Sequence, residues 1–361
     1  MRSKPVIFLF FLLFSGFALA QSLPVVSEVH ADGAREHGDV VTIRGADFGA
    51  IDMNNFMLWD SVDNNPSYDA IADGEQLVPS VNSFWGSGDV MLDKGEGQRH
   101  AYSKAQYLGP GGNYFVGNPQ RRDGLGFDYS TRDELYVSWW IKFDRNPFEV
   151  ANNASHKLVR VWGGDSDDLR ISWTTRNVIT VSNKNAGSTG SKIAYSLLPG
   201  ETLWPENQWH LMELWVSAKE GIVRGFVNGN LAVEWSDDSQ FYLKTDHSGG
   251  PRVALLGFNP SHGEGFVGKT SFQMDGIAVS STEARVLLSN SPTFSGLTAH
   301  EYQPVESWGG QEILVRLNMG GLDESSELYL YVVNDEGYVN EEGFLMSHCP
   351  TCPKRIDLQL E

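Results

Sequence analysis

The chain has 361 residues and a formal net charge of −19, from 27 basic and 46 acidic side chains. Hydrophobic residues make up 41% and aromatic residues 12%, which excludes an intrinsically disordered chain because so much apolar surface favours a packed core. Two Cys residues exclude a disulfide-framework miniprotein. The acidic balance argues against a nucleic-acid partner, since phosphate contacts need clustered cations.

The N-terminus has the pattern of a secretory signal peptide. Arg2 and Lys4 precede the apolar run 6–14, and Ala18-Leu19-Ala20 forms a small-residue cleavage signal. The run is too short to span a bilayer, which needs about 20 residues, and no later stretch is apolar enough. We therefore expect residues 1–20 to be removed, the mature chain to have no membrane span, and its location to be secreted, periplasmic or at the cell surface.

Short segments of alternating hydrophobicity, separated by Gly, Asn, Asp and Pro, predict an all-β fold. The strongest segment is Glu134–Phe143, and Asn228-Gly229 between two others predicts a tight hairpin. A short helix is expected at 281–288. Many short strands favour a β-sandwich. The remaining strand predictions are 40–44, 157–162, 169–175, 209–216, 222–227, 253–258 and 272–279.

Two distant segments suggest one small domain. Residues 38–49 read G-D-V-V-T-I-R-G-A-D-F-G after a Pro-led strand, which resembles the opening of an IPT/TIG immunoglobulin-like domain. Residues 312–317 and 327–337 resemble its later strands. The resemblance implies a discontinuous Ig-like domain at 22–50 plus 297–347, followed by a C-terminal tail at 348–361. The alternative is two unrelated β segments.

The segment between them, 55–290, resembles concanavalin-like and laminin-G-like jelly rolls. The resemblance lies in W-H-L-M-E-L-W-V at 209–216, the following hairpin ending in Asn228-Gly229, and Q-M-D-G-I-A-V at 273–279. That group includes lectins, adhesion modules, glycoside hydrolases and polysaccharide lyases. The resemblance implies a jelly-roll β-sandwich and leaves the function open, because one fold hosts many functions.

Alternation divides each predicted strand into two faces. One face is apolar core, and the other is rich in aromatic and charged side chains, which suit the C–H faces, hydroxyls and acid groups of glycans. If these strands share one concave sheet, that sheet is a glycan groove; the alternative is a second face covered by other parts of the chain. The predicted ligand-binding residues are Tyr136, Trp140, Arg160, Trp162, Arg170, Glu213, Trp215 and Arg224.

A second candidate lies at 100–107, interpreted as a strand with one polar face. That face carries His100, Tyr102, Lys104 and Gln106, whose side-chain types suit a polysaccharide lyase: a base to remove a proton beside a uronate carboxylate, and donors to stabilise the resulting charge. The alternative is a solvated face. The linear signatures of the familiar lyases are absent, so enzymatic activity stays open.

Two further features concern metal and sulfur. Asp165, Asp167 and Asp168 lie together in a predicted turn, and clustered carboxylates on a loop suit Ca²⁺; the alternative is an acidic hairpin tip.

Cys349 and Cys352 form a C-x-x-C near the C-terminus, which in an exported protein predicts a local disulfide.

The leading hypothesis is a secreted all-β protein in which a jelly roll recognises an extracellular or cell-wall polysaccharide beside a small Ig-like β-sandwich. The first alternative is a polysaccharide lyase that cleaves a uronic-acid polymer by β-elimination. The second is an adhesion or structural surface protein.

Overall fold

A computed structural model describes most of the chain from residue 22 onward. The expected signal peptide, residues 1–20, lies outside the described residues. Within those residues no helix is long and apolar enough to cross a membrane. The described ranges are 22–31, 35–77, 90–109, 114–116, 133–147, 156–163, 169–183, 191–195, 197–198, 204–236, 251–259 and 270–346.

Twenty-two β-strands, joined by turns and three-residue 3-10 helices, make up the described secondary structure. In chain order the strands are β1 (Val25–Ala31), β2 (Val40–Ala46), β3 (Phe56–Asp60), β4 (Met91–Asp93), β5 (Gln106–Gly109), β6 (Tyr114–Val116), β7 (Glu134–Phe143), β8 (Lys157–Gly163), β9 (Leu169–Thr174), β10 (Ile179–Asn183), β11 (Ser191–Ala194), β12 (Trp209–Ser217), β13 (Ile222–Val227), β14 (Asn230–Ser236), β15 (Arg252–Asn259), β16 (Phe272–Ser280), β17 (Arg285–Ser289), β18 (Glu301–Gln303), β19 (Val305–Trp308), β20 (Glu312–Arg316), β21 (Leu328–Val333) and β22 (Phe344–Met346).

The strands form four antiparallel sheets, which confirms the all-β prediction. An eight-stranded sheet has the order β14-β13-β12-β7-β16-β5-β4, with β3 also paired to β16, and a six-stranded sheet has the order β11-β10-β9-β8-β15-β6. The two four-stranded sheets are β1-β2-β20-β19 and β18-β17-β21-β22. We call them the β2 sheet and the β17 sheet.

The eight- and six-stranded sheets share one apolar core and form the large sandwich. Trp139 of β7 and Trp173 of β9 are fully buried and meet edge to face, with ring centroids 6.3 Å apart. The predicted hairpin at Asn228 and Gly229 is confirmed, and both residues have positive φ, as a type I′ turn requires.

The β2 and β17 sheets share a second core and form the small sandwich. Ile43 of β2 and Ile313 of β20 are direct cross-strand partners, so strands from the two ends of the described chain pair with each other. The helix expected at 281–288 is wrong: Arg285–Ser289 is a strand paired with β21, and all five of its residues are buried. This strand, β17, belongs to the small sandwich, although the large domain was expected to extend to residue 290.

The small sandwich packs on the outward face of the eight-stranded sheet. Tyr302 of the small sandwich stacks on Trp59 at 5.6 Å and belongs to one buried cluster with Tyr136, Trp215 and Ala278. This contact covers one part of that sheet face.

Candidate functional site

The eight predicted ligand-binding residues do not lie on one sheet. Five belong to the eight-stranded sheet and three to the six-stranded sheet, on opposite sides of the large sandwich. The prediction of one concave groove carrying all eight is therefore wrong. The cause is long-range: β7 and β8 follow each other in the sequence but pair into different sheets, which alternation within a strand does not reveal. The five are Tyr136, Trp140, Glu213, Trp215 and Arg224, and the three are Arg160, Trp162 and Arg170.

Four residues of the first group are buried where the two sandwiches meet. Tyr136, Glu213 and Trp215 are 3% exposed and Trp140 is 8% exposed, so a polysaccharide has no access to them in this structure. The fifth residue, Arg224, is partly exposed on β13, the strand next to the sheet edge, and donates to Glu234 at 2.7 Å. Alternation assigned these residues to the correct face, but that face is mostly occupied by the small sandwich.

Glu213 is the ionic centre of the inter-sandwich contact. Its Oε1 accepts a hydrogen bond from the Tyr136 hydroxyl at 2.7 Å and lies 3.3 Å from His300 Nε2 and 4.0 Å from Arg285 Nε. Burial would raise the pKa of Glu213, but His300, Arg285 and Tyr136 together hold that pKa at about 2. Glu213 is therefore an ion-paired structural carboxylate, because its partners hold it charged inside the protein.

The segment predicted as the lyase strand is mostly turns, and the strand begins only at Gln106. The prediction that four polar side chains share one strand face is therefore wrong. The Tyr102 ring stacks on His37 at 4.2 Å and lies 6.2 Å from the His100 ring, whereas Lys104 is exposed and Gln106 is fully buried. Asp63 holds this turn, since its Oδ1 accepts from the backbone N–H groups of Lys104 and the next residue.

Beside that turn, Arg99 joins the two sandwiches through two buried carboxylates. Arg99 donates to Asp275 Oδ2 at 2.9 Å and to both Glu301 oxygens, at 2.6 and 3.1 Å, and its guanidinium lies 4.8 Å from the Trp140 ring centroid. His100 Nε2 is 3.5 Å from the same Asp275 oxygen. Burial, with a smaller contribution from Arg99, lowers the pKa of His100 to about 4. Because the guanidinium is already paired with two carboxylates, it is not free to neutralise a substrate carboxylate.

The three residues on the six-stranded sheet do come together, and two further cations join them. Trp162 of β8 is directly opposite Arg170 of β9 on one side and Arg252 of β15 on the other. Arg160 lies two residues before Trp162 on the same face, where its Nε donates to Ser172 at 3.4 Å, and Lys157 begins the same strand. We call this set the cationic face; its members are Lys157, Arg160, Trp162, Arg170 and Arg252.

The strands that carry the cationic face contain no acidic side chains. The chain carries 46 acidic residues, yet the six strands of this sheet contain no Asp or Glu. Burial lowers the pKa of Lys157, and the nearby charges of Arg160 and Arg170 lower it further, so the cations are close enough to repel one another.

The geometry of the cationic face suits a chain ligand. Neighbouring strands are about 4.8 Å apart, so the backbones of Arg170 and Arg252 lie about 10 Å apart on either side of Trp162. All three side chains are partly exposed. Trp162 Nε1 is buried and has no hydrogen-bond partner among the described residues. The arrangement places an aromatic ring between two Arg residues in adjacent strands.

Sequence reasoning missed Arg252 and Lys157 as members of this face. Alternation places Lys157 with Val159 and Val161 on the core face, and only a β-bulge between Lys157 and Val159 turns it outward. Arg252 is 90 positions from Trp162, its partner across the sheet, and only tertiary pairing brings the two together.

The predicted calcium ligands and the predicted disulfide stay untested. Asp165, Asp167 and Asp168 lie outside the described residues, as do Cys349 and Cys352. Among the residues that are described, no group of three or more His, Cys, Asp or Glu side chains is placed to hold a metal ion.

No family model and no curated protein matches the chain in sequence. Similar solved structures include the binding domain of botulinum neurotoxin serotype D, at 10% identity and a TM-score of 0.32 over 68% of both chains. A second is Trypanosoma rangeli sialidase in complex with 2,3-difluorosialic acid, at 12% identity and a TM-score of 0.30 over 53% of this chain and 27% of that one. A third is the leech intramolecular trans-sialidase, at 16% identity and a TM-score of 0.32 over 48% of this chain and 25% of the enzyme. At these scores the likeness carries no argument about function.

Proposed function

We propose that this chain is an exported polysaccharide-recognising protein that binds an acidic glycan on the cationic face. The observation that carries the proposal is the in-register row Arg252–Trp162–Arg170 on a sheet without a single acidic residue. Strands that carry cations and no carboxylates can attract a polyanion locally despite the chain's net charge of −19. Trp162 supplies a platform for a sugar ring, and the positive charge of the row favours an acidic glycan over a neutral one.

The cationic face has the residue types of binding rather than those of catalysis. Its members are four permanent or near-permanent cations and one Trp, and none is a general base at neutral pH. Recognition is therefore favoured over β-elimination. A lyase would need its base from elsewhere, and the His100 and Tyr102 rings belong to the contact between the sandwiches.

Affinity electrophoresis in gels that contain alginate, polygalacturonate, hyaluronan or heparin tests the proposal. We expect retardation by at least one of these polyanions, and we expect Trp162→Ala and Arg252→Gln each to weaken the affinity about tenfold, which corresponds to about 1.4 kcal/mol. Arg224→Gln is the matched control, since Arg224 lies on the other sheet and pairs with Glu234. It should bind as the native protein does.

Two results would refute the proposal. One is the absence of retardation in all four gels, and the other is equal retardation of native protein and both cationic-face variants. The same four polymers, incubated with the protein while the ultraviolet absorbance of an unsaturated product is followed, separate binding from lyase activity. A rising absorbance that Trp162→Ala abolishes would assign catalysis to this face, and the lyase alternative would replace pure binding.

A further inference from the structure

The cationic face continues beyond its cations towards β11, the edge strand of the six-stranded sheet. Arg160 of β8 is directly opposite Ser172 of β9, which is in turn opposite Thr180 of β10. Thr180 is opposite Ile193 of β11, so the four residues form one row across the sheet. The row lies on the side away from the core, since both sequence neighbours of Thr180 are fully buried core residues.

The chemistry of this face changes from β9 to β10. Strand β10, with the sequence I-T-V-S-N, has no charged residue, and its outward side chains are the partly exposed hydroxyl residues Thr180 and Ser182. Ser182 is directly opposite Arg170 of β9, so neutral hydrogen-bonding groups lie beside the cations on the next strand. A ligand that extends past Arg170 therefore meets hydroxyls.

Two exposed apolar side chains end the face at β11. Ile193 is 48% exposed and Tyr195 is 73% exposed, the largest fraction for any large hydrophobic side chain among the described residues. The chain is anchored on both sides of Tyr195: Ala194 pairs with β10, and the Leu197 N–H donates to the Ala232 carbonyl at 2.8 Å. Exposed apolar patches on protein surfaces mark binding sites. We call Ile193 and Tyr195 the apolar margin.

The strand spacing of this face matches the repeat of a sugar chain. Neighbouring strands are about 4.8 Å apart, and an extended pyranose chain advances by about 5 Å per sugar, so a glycan that crosses the strands meets about one outward side chain per sugar. The strand order β15-β8-β9-β10-β11 places Arg252 and the apolar margin at opposite ends of the face. The distance between these two strands is about 19 Å, which is the length of about five sugars in a row.

We infer that the glycan crosses the strands from the cations to the apolar margin, and that the site takes an acidic glycan of about five sugars whose far end stacks on Tyr195. The inference rests on the proposed function, because the cations on β8, β9 and β15 select an acidic glycan. The apolar margin adds aromatic and aliphatic surface for sugar C–H faces and adds no charge. The two ends of the site therefore differ in salt dependence, since added salt screens only the charged end.

Isothermal titration of the full chain with disaccharides and hexasaccharides of alginate, polygalacturonate, hyaluronan and heparin tests the inference. We expect a hexasaccharide of at least one polymer to bind about tenfold more tightly than its disaccharide. Tyr195→Ala should weaken hexasaccharide binding about tenfold, by the same factor at low and high NaCl. Arg252→Gln should instead flatten the salt dependence.

The matched control is Tyr329→Ala, because Tyr329 is a partly exposed tyrosine on β21 of the small sandwich. This variant should bind the hexasaccharide as the native protein does. Tyr195 is exposed and packs into neither core, so its replacement should leave the melting temperature unchanged.

The inference and the proposed function fail in different ways. Retardation by a polymer in the gels, combined with equal hexasaccharide binding by native protein and Tyr195→Ala, would overturn the inference and leave the proposed function standing. Equal affinity for disaccharide and hexasaccharide would overturn it too, as would a Tyr195→Ala effect that disappears at high NaCl. A polymer that is retarded although its hexasaccharide does not bind would exclude a site of this length. Absence of binding by all polymers and all oligosaccharides would overturn both the proposed function and the inference.

Discussion

Replacing Arg99 with Met should destabilise the protein far more than removing any exposed ion pair. The Arg99 side chain is 3% exposed and donates three hydrogen bonds of 2.6–3.1 Å to Asp275 and Glu301, which are 1% and 3% exposed. Met fills a similar volume but leaves both carboxylates buried without their cation. Breaking a buried ion pair costs about 3–5 kcal/mol. At a urea m-value of about 3 kcal/mol/M, this loss lowers the unfolding midpoint by 1 M or more.

Urea unfolding at neutral pH, followed by tryptophan fluorescence, measures the effect. Arg224→Met is the control, because the Arg224–Glu234 pair is one-third exposed and such pairs contribute about 1 kcal/mol or less. The reasoning would be refuted if Arg99→Met and Arg224→Met shifted the midpoint equally. Restoration of the native midpoint by Arg99→Lys would refute the role of the guanidinium fork, since Lys supplies charge without bidentate geometry.

Three other outcomes follow from the same contacts. The pKa of Glu213, about 2, lies below the value of the unfolded chain, so its ion pairs stabilise the fold above about pH 4.5, and this stability is lost as the pH falls towards 2; Glu213→Gln should flatten that decline in the unfolding free energy. Gly109→Ala places a methyl group 2.1 Å from the Phe272 ring, so the melting temperature should fall by an amount that reflects about 1–3 kcal/mol of overpacking, whereas Gly310→Ala, with 3.7 Å to its nearest atom, should leave the melting temperature unchanged. Binding of a polyanion should weaken steeply with added NaCl in electrophoresis, because the cationic face acts through charge; a salt-independent affinity would contradict that interpretation.

Much of the strand pattern was predictable because it depends on local chemistry. Alternation in Glu134–Phe143 predicted both the strand and its core face, since successive side chains point to opposite sides. The Asn228-Gly229 hairpin was also predictable from local chemistry, because its two-residue turn requires residues that tolerate positive φ. The segment 281–288 failed because its residues, mostly polar in the first half and apolar in the second, show no clear period that separates strand from helix.

The candidate sites needed information that no local pattern contains. Alternation assigned Trp140 and Trp162 alike to a second, non-core face, and only the fold shows that the first is covered by the small sandwich and the second is not. Alternation predicts which side chains point away from the core, but it does not predict which other parts of the chain cover them.

By itself, then, the sequence determined an all-β chain, the positions of most of its strands and which side of each strand is apolar, since these follow from residue spacing and backbone geometry. The tertiary structure decided which strands share a sheet, because pairing joins residues far apart in the chain, as Arg252 and Trp162 show. That long-range pairing separated the predicted binding residues into a buried ionic contact around Glu213 and a partly exposed cationic face around Trp162. Strand pairing and the packing of the two sandwiches depend on residues far apart in the chain, so they cannot be predicted from a short stretch of neighbouring residues.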